Sequence, residues 1–147
     1  MKYTFCFLLL SVFWANAQTD NVTVSSPDGK LAVNVSLENG KPSYNISLNG
    51  KTFLNKSPLG LKTNVGDFTE GLVLKQNTSL RKIENTYELP NIKQSKVNYV
   101  ANEGVISFSK SNVDAIDVIF RVSNNDVAFR YKVKKKKRAF SCVVNEE

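Results

Sequence analysis

The sequence predicts an all-β fold, an antiparallel β-sandwich, and three observations carry that expectation. Apolar residues recur at every second position in short runs, turn-forming residues punctuate those runs, and no stretch sustains the 3.6-residue period of an amphipathic helix. Many short strands at close spacing belong to sandwiches and barrels.

The chain opens on residues that read as an address. Lys2 supplies a positive charge, Phe5 to Trp14 is apolar apart from Ser11, and Ala15-Asn16-Ala17 before Gln18 has the small-x-small form of a secretory cleavage site. The apolar stretch is about half of the ~20 residues a membrane-spanning helix needs. Cys6 sits at its beginning, whereas a lipid anchor needs a cysteine just after it. Residues 1–17 are therefore expected to be a signal peptide, and residues 18–147 one exported domain, periplasmic or extracellular, with no membrane partner. Cys142 is then the only mature cysteine, so no internal disulfide forms and packing must hold the fold.

Ser26-Pro27-Asp28-Gly29-Lys30 is a turn, because proline presets φ and glycine supplies the left-handed residue. Leu31, Val33, Val35 and Leu37 then alternate with polar or small residues, as in a strand with one buried face. Asn39-Gly40 and Asn49-Gly50 bracket Tyr44, Ile46 and Leu48; such pairs suit the positive φ angles of a type I′ hairpin turn. Lys51 to Leu54 reads as a short strand, Ser57 to Leu61 as a turn, Asn64 to Gly71 as a loop and Leu72 to Lys75 as a strand. A polar segment follows through Asn85, and Pro90 ends whatever begins at Tyr87. Val97, Tyr99 and Ala101 form one alternating run, and Ile106 and Phe108 another, with a turn at Asn102-Glu103-Gly104 between them. The clearest pair comes last: Ile116, Val118, Phe120 and Val122 share one face, and after Ser123 to Asp126 so do Val127, Phe129, Tyr131 and Val133.

Charge points to no nucleic acid. The formal +7 falls to +6 without Lys2, and Lys134 to Arg138 supply all but +1 of the remainder, so the excess is one run rather than a field. No aromatic residue interleaves Lys132 to Arg138 to stack bases, and the run reads as a solvated turn or tail. Polyanion binding through it would have to collapse with salt.

No histidine occurs, which removes His-activated nucleophiles, most zinc sites and the commonest general base. Asp114 and Asp117, three apart on a strand, are expected on opposite faces and so make a poor acid–base pair. Asp67 and Glu70 read as solvated loop charges. Arg121 and Arg130 lie between core positions and are read as cross-strand partners of acids, with donation to a sugar or carboxylate as the functional alternative; Glu84 and Glu88 read likewise. Asn21, Asn34, Asn45, Asn55 and Asn77 each begin an Asn-x-Ser/Thr triplet, a glycan acceptor in a eukaryotic secretory protein or a by-product of Asn-rich strands. For sugar binding, Trp14 leaves with the signal; Tyr44, Tyr87, Tyr99 and Tyr131 remain, of which Tyr44, Tyr99 and Tyr131 take core-facing positions.

The ordered segments SPDGKLAVNVSLENGKPSYNISLNGKTFL, SPLGLKTNVGDFTEGL and DVIFRVSNNDVAFRYKV resemble the start of glycoside hydrolase family 97 enzymes, from Ser25 to about Val133. The resemblance implies a β-supersandwich related to galactose-mutarotase-like domains, followed in full-length members by a (β/α)8 barrel and a C-terminal sandwich. It implies α-glucoside cleavage with inversion or α-galactoside cleavage with retention, assisted by calcium. The family's catalytic carboxylates and calcium ligands lie beyond the matched region, so no catalytic or metal-ligating residue is assigned here, Glu146 and Glu147 included, and no sugar-binding residue is singled out. The expectation is a fragment without its catalytic barrel, inactive alone, with no cofactor of its own and meeting carbohydrate through the full-length enzyme. The alternative is a free-standing secreted carbohydrate-binding or adhesin module.

Overall fold

Residues 20–75, 79–90, 96–134 and 142–146 are described by the computed structural model, and they contain only strands, turns and loops. The leader expected over residues 1–17 lies outside them, as do Asn77, residues 135–138 and Glu147. No helix among the described residues is long and apolar enough to cross a membrane.

β1 (Asp20–Ser25), β2 (Leu31–Glu38), β3 (Lys41–Leu48) and β4 (Lys51–Pro58) form a four-stranded antiparallel sheet in chain order. The two Asn-Gly pairs close its hairpins with both residues at positive φ, 50° and 75° in each case, as the type I′ turn requires. β4 runs on through Pro58, past the expected Leu54. Just before the loop expected from Asn64 to Gly71 stands β5 (Lys62–Thr63), and within that loop only β6 (Gly66–Asp67) is a strand, folded back on β5. The second large sheet takes β7 (Val73–Leu74), β8 (Ser79–Glu88), β9 (Lys96–Lys110), β10 (Val113–Ser123) and β11 (Val127–Val133). Its order is β11-β10-β9, with β7 and β8 sharing the far edge of β9. β12 (Val144–Glu146) pairs with β5 to complete a small third sheet.

The two large sheets stack face to face. Val24 of β1 and Val33 and Val35 of β2 meet Ile106 and Phe108 of β9 and Ile116, Val118, Phe120 and Val122 of β10, all buried. Each such side chain contributes roughly 1.5–3 kcal/mol on leaving water. Leu59, Leu61, Phe68 and Leu72, from the connection between the sheets, add to the same core. Rings cluster at its border: Phe129 lies 5.3 Å from Phe120, 5.7 Å from Tyr44 and 5.6 Å from Tyr131, centroid to centroid.

Two readings of the middle of the chain are corrected. The polar segment before Asn85 is β8, ten residues paired along its length with β9. The turn expected at Asn102-Glu103-Gly104 does not exist, since β9 runs unbroken for fifteen residues. Gly104 serves sheet packing instead: a Cβ there would stand 2.4 Å from Cγ2 of Val24, so glycine lets the sheets close. With β9 continuous, Tyr99 falls on the face of Glu103, opposite Ile106 and Phe108, and is not core-facing as expected.

Candidate functional site

Odd-numbered residues of β9 point away from the core, and there the register sets Glu103 between Arg121 of β10 and Arg81 of β8. Arg81 donates to Oε1 through Nε (2.8 Å) and Nη2 (2.6 Å), and Arg121 donates to Oε2 through Nε (2.7 Å). Glu103 is 1% exposed although it lies on the outer face of a sheet, because its cationic neighbours lie over it. Burial works to raise its carboxyl, but the hydrogen bonds from Arg121 and Arg81 outweigh burial and hold it below its ordinary value.

Further along that face the expectation for Asp114 and Asp117 fails. A bulge between Asp114 and Ile116 shifts the register, so that Asp114 stands opposite Ser109 and Asp117 opposite Ser107. These serines are two apart on β9, and the extra residue therefore puts both aspartates on one face. Each is committed separately. Asp117, 3% exposed, accepts from Ser107 Oγ (2.8 Å) and from Lys134 Nζ; Asp114 accepts from Lys75 Nζ at 2.6 Å. The hydrogen bond from Lys75 and its charge hold Asp114 below the usual carboxylate value. A general acid for glycoside cleavage must keep its proton near neutrality. Glu103 and Asp114 are tuned in the opposite direction, so this face is an ion-paired surface rather than an acid–base couple.

The other candidates divide similarly. Asp67 accepts from the N–H (2.9 Å) and hydroxyl (2.6 Å) of Thr69, bonds that lower its carboxyl, while Glu70 pairs with Lys41 at 3.6 Å; the two do not share a site. Glu84 pairs with Lys82, and Glu88 is exposed. Arg121 and Arg130 border a hollow of about 160 Å³ floored by Ile119 and Ala128, smaller than typical small-ligand sites. Lys134, expected in a solvated run, is tied to Asp117. Asn34 and Asn45 join side chain to side chain at 2.9 Å, and Thr23 donates to Asn34 at 2.8 Å, a polar ladder on the outer face of the first sheet. Asn21 and Asn55 are exposed in β1 and β4, and Cys142 is exposed and free. Glu146 belongs to β12. Calcium wants six to eight oxygen ligands, whereas no group of three or more acidic or cysteine residues able to hold a metal occurs among the described residues. The two buried carboxylates are already met by cations, so these residues do not fit calcium.

The importance of Glu103 escaped the sequence reading because its partners lie 22 and 18 residues away on strands whose register is invisible locally. The one available signal was an acid and two arginines flanked by strand-forming residues.

Comparison with known proteins gives one consistent set. The family model described as glycosyl-hydrolase 97 N-terminal matches residues 24–147. A probable retaining alpha-galactosidase of Streptomyces bingchenggensis is 30% identical over 125 residues, covering 82% of this chain and 20% of that protein. Among solved structures, a beta-arabinopyranosidase is 45% identical with a TM-score of 0.77, over 84% of this chain and 20% of that one. A glycoside hydrolase family 97 enzyme from a Pseudoalteromonas species, solved with panose and with acarbose, is 27% identical with a TM-score of 0.74, over 84% of this chain and 19% of its own. The chain thus spans about a fifth of the length of the relatives it matches.

Proposed function

Because the chain belongs to the glycosyl-hydrolase 97 N-terminal family, we propose that it is the leading β-sandwich of an exported α-glycosidase and that it supports a catalytic barrel lying outside these residues. The observation that carries the reading is the ordered match over residues 24–147 to one terminal fifth of such enzymes. The commitment of every weighed carboxylate pair to separate partners agrees with a supporting role. The substrate class is taken from the relatives of higher identity, an arabinopyranosidase and an alpha-galactosidase. In the L series a β-arabinopyranoside has the ring stereochemistry of an α-galactoside without its hydroxymethyl group, so one pocket shape serves both. Any calcium used by the whole enzyme takes its ligands from beyond the described residues.

Grafting residues 18–147 in place of the matching segment of the arabinopyranosidase tests this. A soluble chimera that still hydrolyses its parent's substrate is expected, while the chain alone releases no nitrophenol from nitrophenyl α-galactoside or α-glucoside above buffer. An inactive or insoluble chimera, or hydrolysis by the chain alone, overturns the reading. Export predicts a periplasmic product whose N-terminus is Gln18; product retained at full length in the cytoplasm removes that part of the proposal.

A further inference from the structure

Three hairpin turns meet at one end of the sandwich, and hydrogen bonds lace them together. The N–H of Asn49 donates to the carbonyl of Lys30 (2.8 Å), joining the β3–β4 turn to the β1–β2 turn. The N–H of Asp28 donates to Oδ1 of Asn124 (3.1 Å), joining the β1–β2 turn to the β10–β11 turn across the two sheets. Ser123 fixes the last turn from within: its Oγ accepts from the N–H groups of Asn125 (3.1 Å) and Asp126 (3.0 Å) and donates to Oδ2 of Asp126 (2.6 Å). Loops tied this firmly to a rigid scaffold are where binding residues collect.

Between the turns opens a cleft of about 450 Å³, within the range of small-ligand sites. Leu31 and Val127, at the end of the core, line it together with Leu48 and Phe53. Phe53 is 76% exposed, a large apolar ring standing at a cleft rather than in the core. Asn124, Asn125 and Asp126 supply the polar part of the lining.

The lining selects a ligand class. Apolar side chains with an exposed ring favour a C–H face, whereas amide groups beside them favour hydroxyls. Oδ1 of Asn124 is occupied by Asp28, which leaves its NH₂ to donate. An anion would meet Asp126 and no cation in the lining; a cation would find a single carboxylate, already bonded to Ser123. An acyl chain would desolvate the amides without satisfying them. A neutral ring with one apolar face and a hydroxylated edge matches every part.

We propose that this cleft binds a pyranose ring, its C–H face on Phe53 and its hydroxyls on the Asn124–Asp126 turn. The amphipathic class follows from the lining; the choice of a sugar within that class rests on the glycosidase reading above.

Phe53→Trp provides the test, since Trp14 is the one tryptophan of the sequence and falls within the expected leader. The purified chain is titrated with panose, methyl α-galactoside and methyl β-L-arabinopyranoside. Indole fluorescence is followed in this variant and amide shifts in the unaltered protein. Saturable change with at least one sugar is expected, with shifts centred on residues 124–127 and 53. Phe53→Ala and Asn125→Ala, both at exposed positions, keep the circular dichroism spectrum and weaken binding by about tenfold. Absence of saturation with all three sugars, shifts centred elsewhere, or unchanged affinity in Phe53→Ala overturns the proposal. An active chimera without sugar binding here removes this site alone; a saturable cleft beside a failed chimera removes the scaffold reading alone.

Discussion

β8 and β10 flank the same strand and pair with it in the same antiparallel sense, yet they end in opposite environments. Ala115 to Phe120 of β10 are buried without a break, whereas β8 is exposed at every residue except half-buried Ile83. The difference lies above the sheet. β10 has β2 stacked over its core face and Lys134 over Asp117 on the other, while the first sheet stops at its edge strand β1 and leaves β8 without a covering layer. Ladder hydrogen bonds, each worth about 0.5–1.5 kcal/mol net, are thus enough to place a strand, whereas burying its apolar face takes a second layer. β8 adds to its ladder the side-chain ties of Arg81 to Glu103 and of Thr86 to Asn98.

The largest effect that would sharpen this contrast is Phe120→Ala. Phe120 is fully buried at the meeting of core and aromatic cluster, and its truncation should cost about 3–5 kcal/mol in chemical denaturation. Tyr87→Ala in β8, as the matched control, should stay within about 0.5 kcal/mol. Equal costs would mean that β8 is covered in solution and would break the comparison.

Gly104→Ala comes next. It forces a methyl against stiff, β-branched Val24 exactly where β9 carries both neighbours, and about 1–3 kcal/mol of destabilisation is expected from overpacking. A neutral substitution would show that the sheets can part there without loss.

Glu103→Gln should cost less, about 1–2 kcal/mol near neutral pH, because the arginines it releases reach water. Its signature is the pH dependence. The folded carboxyl lies below its ordinary value, so the unfolded chain binds its proton first on acidification. The contribution is complete above the unfolded carboxylate pKa, about 4.3, and is lost as pH falls through the depressed folded value. Denaturation midpoints measured downward from neutrality should therefore fall less steeply in the variant; parallel curves would show that the ion triad adds nothing.

Legibility followed the range of the interactions. β2, β3, β10 and β11 were readable because each turns one apolar face toward the core, and Val33 or Val118 marks that face every second residue. β8 was not, since a strand with no buried face has no apolar alternation to display. Glu103-Gly104 read as a turn because an acid beside a glycine is turn chemistry locally, whereas here the acid answers two arginines and the glycine answers Val24. Asp114 and Asp117 came out on the wrong faces because counting by twos assumes no bulge. Phe53 was placed in a short strand with no role, and its exposure beside the Asn124–Asp126 turn is a property of two sheets meeting.

By itself the sequence determined the all-β class, the hairpin turns and the family likeness, because periodicity and turn chemistry act within a few residues and are written in order. Tertiary structure alone decided which charges neutralise one another, which glycine spaces the sheets and which turns converge on a cleft. Those depend on register and stacking between strands far apart in the chain, where a shift of one residue exchanges the faces of a sheet.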